Sequence, residues 1–235
     1  MRRWVRFTGT VLIALGVLTL VWAAVVWQWQ DPFTALYTTW RQHQLTSQYE
    51  KRVKEFSAPP IAHESVAAHR RSIARQAHRY RVVSDRGEAI GRIKVPRMGV
   101  NMILVNGTDE ASLKKGPGRD LRTYMPGENR LVYIAGHRTT YLAPFSHIDR
   151  LRAGDRVTIE VPYATFVYSV THHRIVKSTD LSVLRSPPHE LLALQACHPR
   201  FFASHRYIAY ARLVRVEPRG SAPFDVTDAA QASGK

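Results

Sequence analysis

The sequence predicts a mainly β domain that follows an N-terminal membrane helix and a helical linker. From Ile90 onward, short β-branched runs are separated by Gly and Pro, which is typical of an all-β barrel or sandwich with few long helices. Residues 7–30 carry no charged side chain and are long enough to cross a bilayer as a helix. We therefore divide the chain into residues 1–30, a cytoplasmic tip with a transmembrane anchor; 31–88, a basic helical stalk; 89–217, the β domain; and 218–235, a disordered tail.

The flanks of the apolar segment indicate a signal-anchor that stays attached to the protein. Three arginines precede it and three tryptophans lie towards its other end: Arg2, Arg3, Arg6, Trp22, Trp27 and Trp29. Positive charge favours the cytoplasmic side, so the rest of the chain is expected outside the cell. A cleaved signal peptide is the alternative, but bulky residues follow Ala23 and Ala24 where a small-residue cleavage site would lie. We predict a single-pass protein of the cell membrane with an extracellular domain.

The stalk and the overall charge point to an anionic partner. The formal charge is +16, so nucleic acid, an anionic membrane surface and an anionic wall polymer all fit, and the anchor disfavours nucleic acid. Pro59 and Pro60 divide the stalk into two predicted helices. In the second, apolar residues recur at helical spacing and arginines cover much of the rest: Val66, Ile73, Ala77, Tyr80, Arg70, Arg71, Arg75 and Arg79. This helix is either a solvated helix or a basic collar that holds the protein near anionic lipid head groups or wall polymers.

Seven strands are predicted in the β domain: residues 91–95, 102–105, 131–135, 156–161, 165–176, 191–196 and 206–216. Alternation is clearest in the fifth strand, where Phe166, Tyr168 and Val170 should share one face and Val167 the other. Short helical turns are expected at 109–114 and 144–151. Turns containing glycine lie between apolar runs at 116–118, 126–127 and 153–155.

Cys197 is the single cysteine, so the chain cannot form an intrachain disulfide. An unpaired thiol outside the cell is usually either lost or used. Cys197 ends an apolar strand, and His198-Pro199 follows at once, because proline cannot continue a ladder. A strand end holds a side chain rigidly while leaving it open to a cleft. The residue is therefore a candidate nucleophile, and the alternative is a buried, inert thiol packed as a small apolar group.

Arg206 and His137 are the residues expected to act with this thiol. Arg206 opens the next strand, and a hairpin would place its guanidinium beside the sulfur, where a cation lowers the thiol pKa and can bind a developing oxyanion. His137 follows an apolar run and Gly136, and its imidazole could exchange a proton with the thiol and the leaving amine. His198 is a competing candidate for that role. A metal site is poorly supported by one cysteine and scattered acidic residues, and no cofactor is predicted.

Residues 90–216 resemble the sortases, most closely those of class E from high-GC Gram-positive bacteria. The resemblance rests on the turns Gly116-Pro117-Gly118 and Pro126-Gly127, on the block from Ala135 to Tyr141 with Pro144-Phe145 after it, on Gly154-Asp155, and on Cys197-His198-Pro199 with Arg206 behind it. The histidine block and the spacing from cysteine to arginine are the specific signals. Gly-Asp or Pro-Gly alone would mean little.

The resemblance implies an eight-stranded β-barrel and a cysteine transpeptidase. Such enzymes cleave the Thr–Gly bond of a sorting signal near the C-terminus of a secreted protein, hold the protein as a thioester, and transfer it to an amine of a lipid II-type cell-wall precursor. Class E members favour Leu-Ala-x-Thr-Gly over Leu-Pro-x-Thr-Gly. By this resemblance Cys197 is the nucleophile, His137 the general acid/base, and Arg206 the residue that positions substrate and steadies the oxyanion.

One departure affects the expected substrate. The family commonly has Thr-Leu-x-Thr before its cysteine, whereas this chain has Ala193 and Ala196 in place of both threonines. Tyr141, Thr139, Ala196 and His198 are the candidates for binding the signal, although for Tyr141 a structural aromatic residue at a loop end is the commoner case. The preferred signal is therefore less defined by the sequence than the chemistry.

Two other functions remain open at this point. A papain-like cysteine hydrolase uses the same thiolate chemistry, but it places its cysteine early and its histidine downstream, the reverse of the order here. A membrane-anchored β domain could also bind wall polymer without catalysis, with Cys197 inert. The joint presence of His137, Cys197 and Arg206 at predicted strand ends favours the transpeptidase.

Overall fold

Three helices precede the β domain in this computed structural model, which describes residues 2–29, 32–56 and 65–226. They are α1 (Arg2–Trp29), α2 (Pro32–Glu55) and α3 (Val66–Val83). Within α1, the most apolar stretch of 18 residues in Arg2–Val25 has a mean hydropathy of 2.1, and none of that stretch is buried. This helix has the length and composition to span a membrane. The predicted break at Pro59 and Pro60 lies outside the described residues.

The β domain is an eight-stranded closed barrel, and a short ninth strand pairs with the end of β8. The strands are β1 (Ala89–Val95), β2 (Val100–Asn106), β3 (Gly118–Arg119), β4 (Leu131–Ala135), β5 (Arg156–Val161), β6 (Ala164–Lys177), β7 (Leu191–His198), β8 (His205–Pro218) and β9 (Phe224–Asp225). The order is β6-β5-β1-β2-β3-β4-β7-β8, and pairing of β6 with β8 closes the ring. Helix α4 (Glu110–Leu113) lies between β2 and β3.

The seven predicted strands are all present, with ends that differ by up to two residues. The strands β3 and β9 were not predicted, since each has two residues and is too short to show alternation. Of the predicted helical turns, 109–114 is α4 with its caps, whereas 144–151 contains helix only at Ile148–Arg150, a 3-10 turn. Phe166, Tyr168 and Val170 are buried in the barrel interior as expected.

The stalk prediction is wrong for the described parts of both helices, because they pack against the barrel. In α2, Leu45 and Tyr49 are buried against β1 and β2. The side-chain amide of Gln42 acts as an additional strand partner of β2: its Oε1 accepts from Ile103 N at 2.6 Å, and its Nε2 donates to Ile103 O at 3.1 Å. These contacts satisfy backbone groups that would otherwise be unpaired.

Helix α3 is also docked, through Ile73, Ala77 and Tyr80, which belong to the main core. Its N-terminus is capped by Ser65, whose hydroxyl accepts from Ala68 N at 3.4 Å. Val66, predicted on the same apolar face, is 48% exposed. Most of the arginines face away from the core, as a helix packed on one side requires.

Residues 218–226, the first part of the segment predicted as a disordered tail, are structured. Residues 218–226 are ordered by β9, which pairs with β8 through Arg215 opposite Asp225 and Val216 opposite Phe224. Val226 is buried and donates its backbone N–H to Val214 O. The prediction of disorder from residue 218 is therefore wrong up to residue 226, and residues 227–235 lie outside the described part of the chain.

Candidate active site

Cys197 lies next to the end of β7, with its side chain on the outside of the barrel. Its neighbours Leu194 and Ala196 belong to the interior core, and alternation along the strand directs Cys197 to the opposite face. The residue is half-buried, and its thiol is free. It lines a groove of about 280 Å³ on the outer surface.

Arg206 lies directly opposite Cys197 in the antiparallel ladder of β7 and β8. Residues paired in this way have side chains on the same face, about 5 Å apart at Cβ. The guanidinium Nη1 donates to Ala203 O at 2.7 Å and to His205 O at 3.0 Å. One edge of the cation is therefore fixed to the loop between the strands, while Arg206 shares the lining of the groove with Cys197.

His137 is brought to the same end of the barrel by the parallel pairing of β4 with β7. Ala135 pairs with Gln195, and Gly136 N donates to Gln195 O at 3.0 Å, so His137 follows in the position next to Cys197. Gly136 is required here, because a Cβ would lie 2.8 Å from the ring of Phe145. The backbone N–H of Phe145 in turn donates to His137 O at 3.0 Å. The glycine thus allows the turn that delivers the imidazole.

The surroundings of His137 favour the neutral form of its imidazole. Its Nε2 is buried and has no hydrogen-bond partner among the described residues. Burial is the main cause that lowers its pKa below the ordinary value of 6.5; Glu110 acts in the opposite direction and Lys114 in the same direction. A neutral ring can take up a proton on its unprotonated nitrogen.

Tyr141 covers this imidazole, at 5.0 Å between ring centroids. It begins a run of three residues with positive φ: Tyr141 at 53°, Leu142 at 61° and Ala143 at 38°. Residues other than glycine rarely adopt this conformation, which costs about 1–2 kcal/mol each. Tyr141 N donates to Thr34 Oγ1 of α2 at 3.1 Å, and its ring lies 6.4 Å from that of Tyr37. Helix α2 therefore supports the loop that carries the histidine.

The groove beside Cys197 has an apolar wall and a polar wall. The apolar side chains come mainly from the connection between β6 and β7: Leu181, Val183 and Leu184. On the other side Asp120 accepts from Arg122 Nη2 at 2.7 Å and from Arg122 Nε at 2.9 Å. Tyr133 and Gln195 form the floor, joined by a hydrogen bond of 3.3 Å. A groove of this kind suits an extended peptide with an apolar side chain.

Arg138 is a buried cation, 6% exposed, which the sequence analysis did not select. Its Nη1 donates to the carbonyl of Cys197 at 3.2 Å and to Nδ1 of His198 at 3.0 Å. Its Nη2 forms an ion pair with Asp149 at 3.2 Å. Arg138 thus holds the backbone of Cys197, the candidate nucleophile. Its position in the His137-Arg138 dipeptide was the one available signal.

The four candidates for signal binding lie in different places. Tyr141 and Thr139 are half-buried on the loop after His137. The side chain of Ala196 is fully buried in the barrel core and is not available to a ligand. His198 accepts from Arg138 and lies 6.0 Å from the ring of Tyr207, on the face opposite Cys197. The structure therefore does not bring Ala196 or His198 to the groove through their side chains.

The described residues contain no group of three or more His, Cys, Asp or Glu side chains placed to hold a metal ion.

Ala193, the other alanine in place of a family threonine, packs in a cluster on the outer face with Leu131 and Tyr133. Both substitutions therefore lie in packed surroundings.

Comparison with known proteins gives matches over the β domain. A family model described as the sortase domain matches residues 93–214. Sortase D of Bacillus subtilis is 31% identical over an alignment of 134 positions, which covers 55% of this chain and 66% of that relative. The matched part is thus slightly less than two thirds of that relative's length.

Two solved structures share the fold. A Clostridium perfringens sortase D5 transpeptidase superposes with a TM-score of 0.60 at 21% identity, over 74% of this chain and 98% of that one. Sortase E1 of Streptomyces coelicolor, solved with a tripeptide in its active site, gives a TM-score of 0.54 at 25% identity, over 61% of this chain and 96% of that one. Relatives of both the D and the E classes are therefore similar to this chain.

Proposed function

Because the chain belongs to the sortase family, we propose that it is a membrane-anchored cysteine transpeptidase with Cys197 as nucleophile. The observation that carries the proposal is the convergence of three strand ends: β4 leads to His137, β7 carries Cys197, and β8 carries Arg206 opposite it. A thiol and a guanidinium that line one groove, with an imidazole at the adjacent strand end, form a constellation suited to acyl transfer.

In the first half-reaction, the Cys197 sulfur attacks the carbonyl carbon of the threonine in a Thr–Gly bond. The thiol proton passes to His137, whose lowered pKa favours the neutral ring as acceptor. Collapse of the tetrahedral intermediate breaks the C–N bond, and His137 gives its proton to the departing glycine amine. The threonine acyl group remains on sulfur as a thioester.

In the second half-reaction, an amine of the cell-wall precursor attacks the thioester carbon. The amine loses a proton to His137 as the new amide bond forms, and the thiolate leaves and is reprotonated. Arg206 stabilises the oxyanion in both steps, since a fixed cation needs little reorganisation as charge develops. The fixed contacts of Arg206 with Ala203 and His205 support this role.

The proposed substrates are secreted proteins with a C-terminal signal of the Leu-Ala-x-Thr-Gly or Leu-Pro-x-Thr-Gly kind. The apolar wall of the groove supports binding of the leucine. The acceptor is an amine of a lipid II-type precursor, and nucleic acid is not a partner. The apolar helix α1 supports a single-pass anchor, with the N-terminus in the cytoplasm and the barrel outside the cell.

Cleavage and transfer of a Leu-Ala-x-Thr-Gly peptide tests the proposal. Cys197→Ala should abolish cleavage, and Arg206→Ala should lower kcat/KM by about a hundredfold or more, as removal of an oxyanion donor does elsewhere. Arg156→Ala, an exposed arginine on β5, is the matched control and should retain activity. Added triglycine should appear in the product. Activity in Cys197→Ala would refute the proposal, and release of the acid alone despite added amine would indicate a hydrolase.

A further inference from the structure

Two adjacent phenylalanines are exposed at the mouth of the candidate active site. Phe201 is 61% exposed and Phe202 is 81% exposed, on the loop between β7 and β8. This loop joins Cys197 to Arg206 directly. Large apolar side chains exposed together on a rim commonly mark a contact surface, because their burial is favourable.

The loop is fixed to the rest of the site rather than projecting alone. Arg200 Nη2 donates to Ser146 O, on the loop that follows His137. Arg206 Nη1 donates to Ala203 O at 2.7 Å. The phenylalanines therefore have a defined position relative to the groove.

A second group of exposed apolar residues lies on the first turns of α2. Leu36 is 72% exposed, Trp40 is 53% exposed and Tyr37 is 38% exposed. Helix α2 contacts the same active-site loop, because Thr34 accepts from Tyr141 N. The two apolar groups thus flank the loop from His137 to Ser146, one at Tyr141 and the other at Ser146.

The chain itself brings this end of the barrel close to the apolar helix. Helix α1 ends at Trp29, and Thr34 is five residues further on. Five residues span at most about 18 Å when fully extended. Thr34 is hydrogen-bonded to Tyr141 on the loop that carries His137. This loop therefore lies within about 18 Å of the end of α1, extended only by the length of that hydrogen bond.

We infer that the active-site mouth faces the bilayer, with Leu36, Trp40, Phe201 and Phe202 in the interfacial region of the membrane. These four side chains form the apolar rim. Aromatic residues favour that region, and Arg41 and Arg200 beside the rim can contact lipid phosphates. The inference rests on the proposed membrane anchoring. It places the reacting thiol at the lipid surface, where a membrane-borne acceptor amine would be presented.

Nitroxide labelling of the full chain tests the inference. Since Cys197 is the single cysteine, the double variant C197A/F202C carries one label on the rim. The control is C197A/R130C, labelled at the exposed Arg130 just before β4, at the opposite end of the barrel. Both are reconstituted in vesicles of phosphatidylcholine and phosphatidylglycerol. Collision rates with oxygen, which enters lipid, and with a nickel chelate, which stays in water, are then measured.

The label at position 202 should show a severalfold higher ratio of oxygen to nickel collisions than the label at position 130. Equal ratios at the two positions would overturn the inference. A higher ratio at position 202 that appears only after a sorting peptide is added would also overturn the inference, because the rim would then bind the protein substrate. Flotation with vesicles reports anchoring separately. The C197A background makes the result independent of whether the chain is a transpeptidase.

Discussion

At the scale of single residues, Arg138 connects the histidine loop to the strand of the cysteine. It touches the Cys197 carbonyl, His198 and Asp149 at once. Sequence reasoning selected Cys197, His137 and Arg206 because each stands beside a strand end. Arg138 could not be selected in that way, since the chain has 34 basic residues and its contacts exist only after β4 and β7 pair in parallel. The left-handed run at Tyr141 was equally hidden, because no glycine or asparagine marks it.

Replacing Arg138 by glutamine should lower kcat by about tenfold to a hundredfold and leave KM within about twofold, since a small displacement of a reacting group has effects of this size. Arg138→Lys should restore part of kcat, because it keeps the charge beside Asp149. Steady-state kinetics with a sorting peptide provide the measurement. Arg156→Gln is the control. If Arg138→Gln lowers only the melting temperature and not kcat, the residue supports the fold and does not position the site.

At the scale of elements, strands were predicted more completely than the docking of helices. Alternation reports directly that one face of β6 is buried. The periodic pattern of α3 also indicated an apolar face, but it could not identify the barrel as the surface that covers it. The role of Gln42 on α2 was invisible in the sequence, because a polar residue mid-helix ordinarily faces water. Helices α2 and α3 were therefore predicted to form a stalk, whereas in the structure they pack against the barrel.

Glu190, just before β7, joins three elements and should make stability depend on pH. It is buried and accepts from Tyr168 Oη at 2.7 Å, from Gly127 N at 2.9 Å and from Asn129 N at 3.1 Å. Burial raises its pKa from 4.5 to about 7 in spite of these bonds. Below pH 4.5 the carboxyl is protonated in both states. Above that, the unfolded state loses its proton first, so stability falls as pH rises and stops falling above the folded pKa.

Between pH 5 and pH 8, the free energy of unfolding should fall by about 3 kcal/mol, because the pKa of Glu190 differs between the folded and unfolded states by an amount that corresponds to this free energy. Glu190→Gln mimics the neutral carboxyl and should remove this part of the pH dependence. Thermal melting of the full chain in detergent micelles at the two pH values measures it. Glu50→Gln, at an exposed position of α2, should keep the dependence of the original protein. An unchanged pH dependence in Glu190→Gln would show that the carboxyl titrates normally.

At the scale of the whole molecule, the pattern of residues predicted only an all-β barrel or sandwich. The prediction of a closed eight-stranded barrel came from the family resemblance. Closure depends on the pairing of β6 with β8, which joins residues about forty positions apart, such as His172 and Tyr210. No local pattern encodes such a contact. The apolar α1, by contrast, was readable from composition alone, because the signal lies within one segment.

The single thiol also reports the orientation of the molecule. In intact cells, a charged methanethiosulfonate that cannot cross membranes should modify Cys197, because the proposed orientation places its groove outside the cell. Cys197→Ala should remove the signal. Replacing Arg2, Arg3 and Arg6 together by glutamate should reduce the modified fraction, since these residues favour the cytoplasmic side. Modification only after the cells are permeabilised would mean the opposite orientation.

The ladder of β7 and β8 holds Cys197 and Arg206, whereas the apolar wall of the groove comes from the connection between β6 and β7. Under the proposed function, peptide recognition and acyl-transfer chemistry therefore reside in separate segments of the chain. Sequence drift in residues 178–190 can change the accepted peptide while the thiol and guanidinium keep their register. For the same reason, a laboratory library confined to that connection offers a route to retargeting the protein without rebuilding its reactive centre.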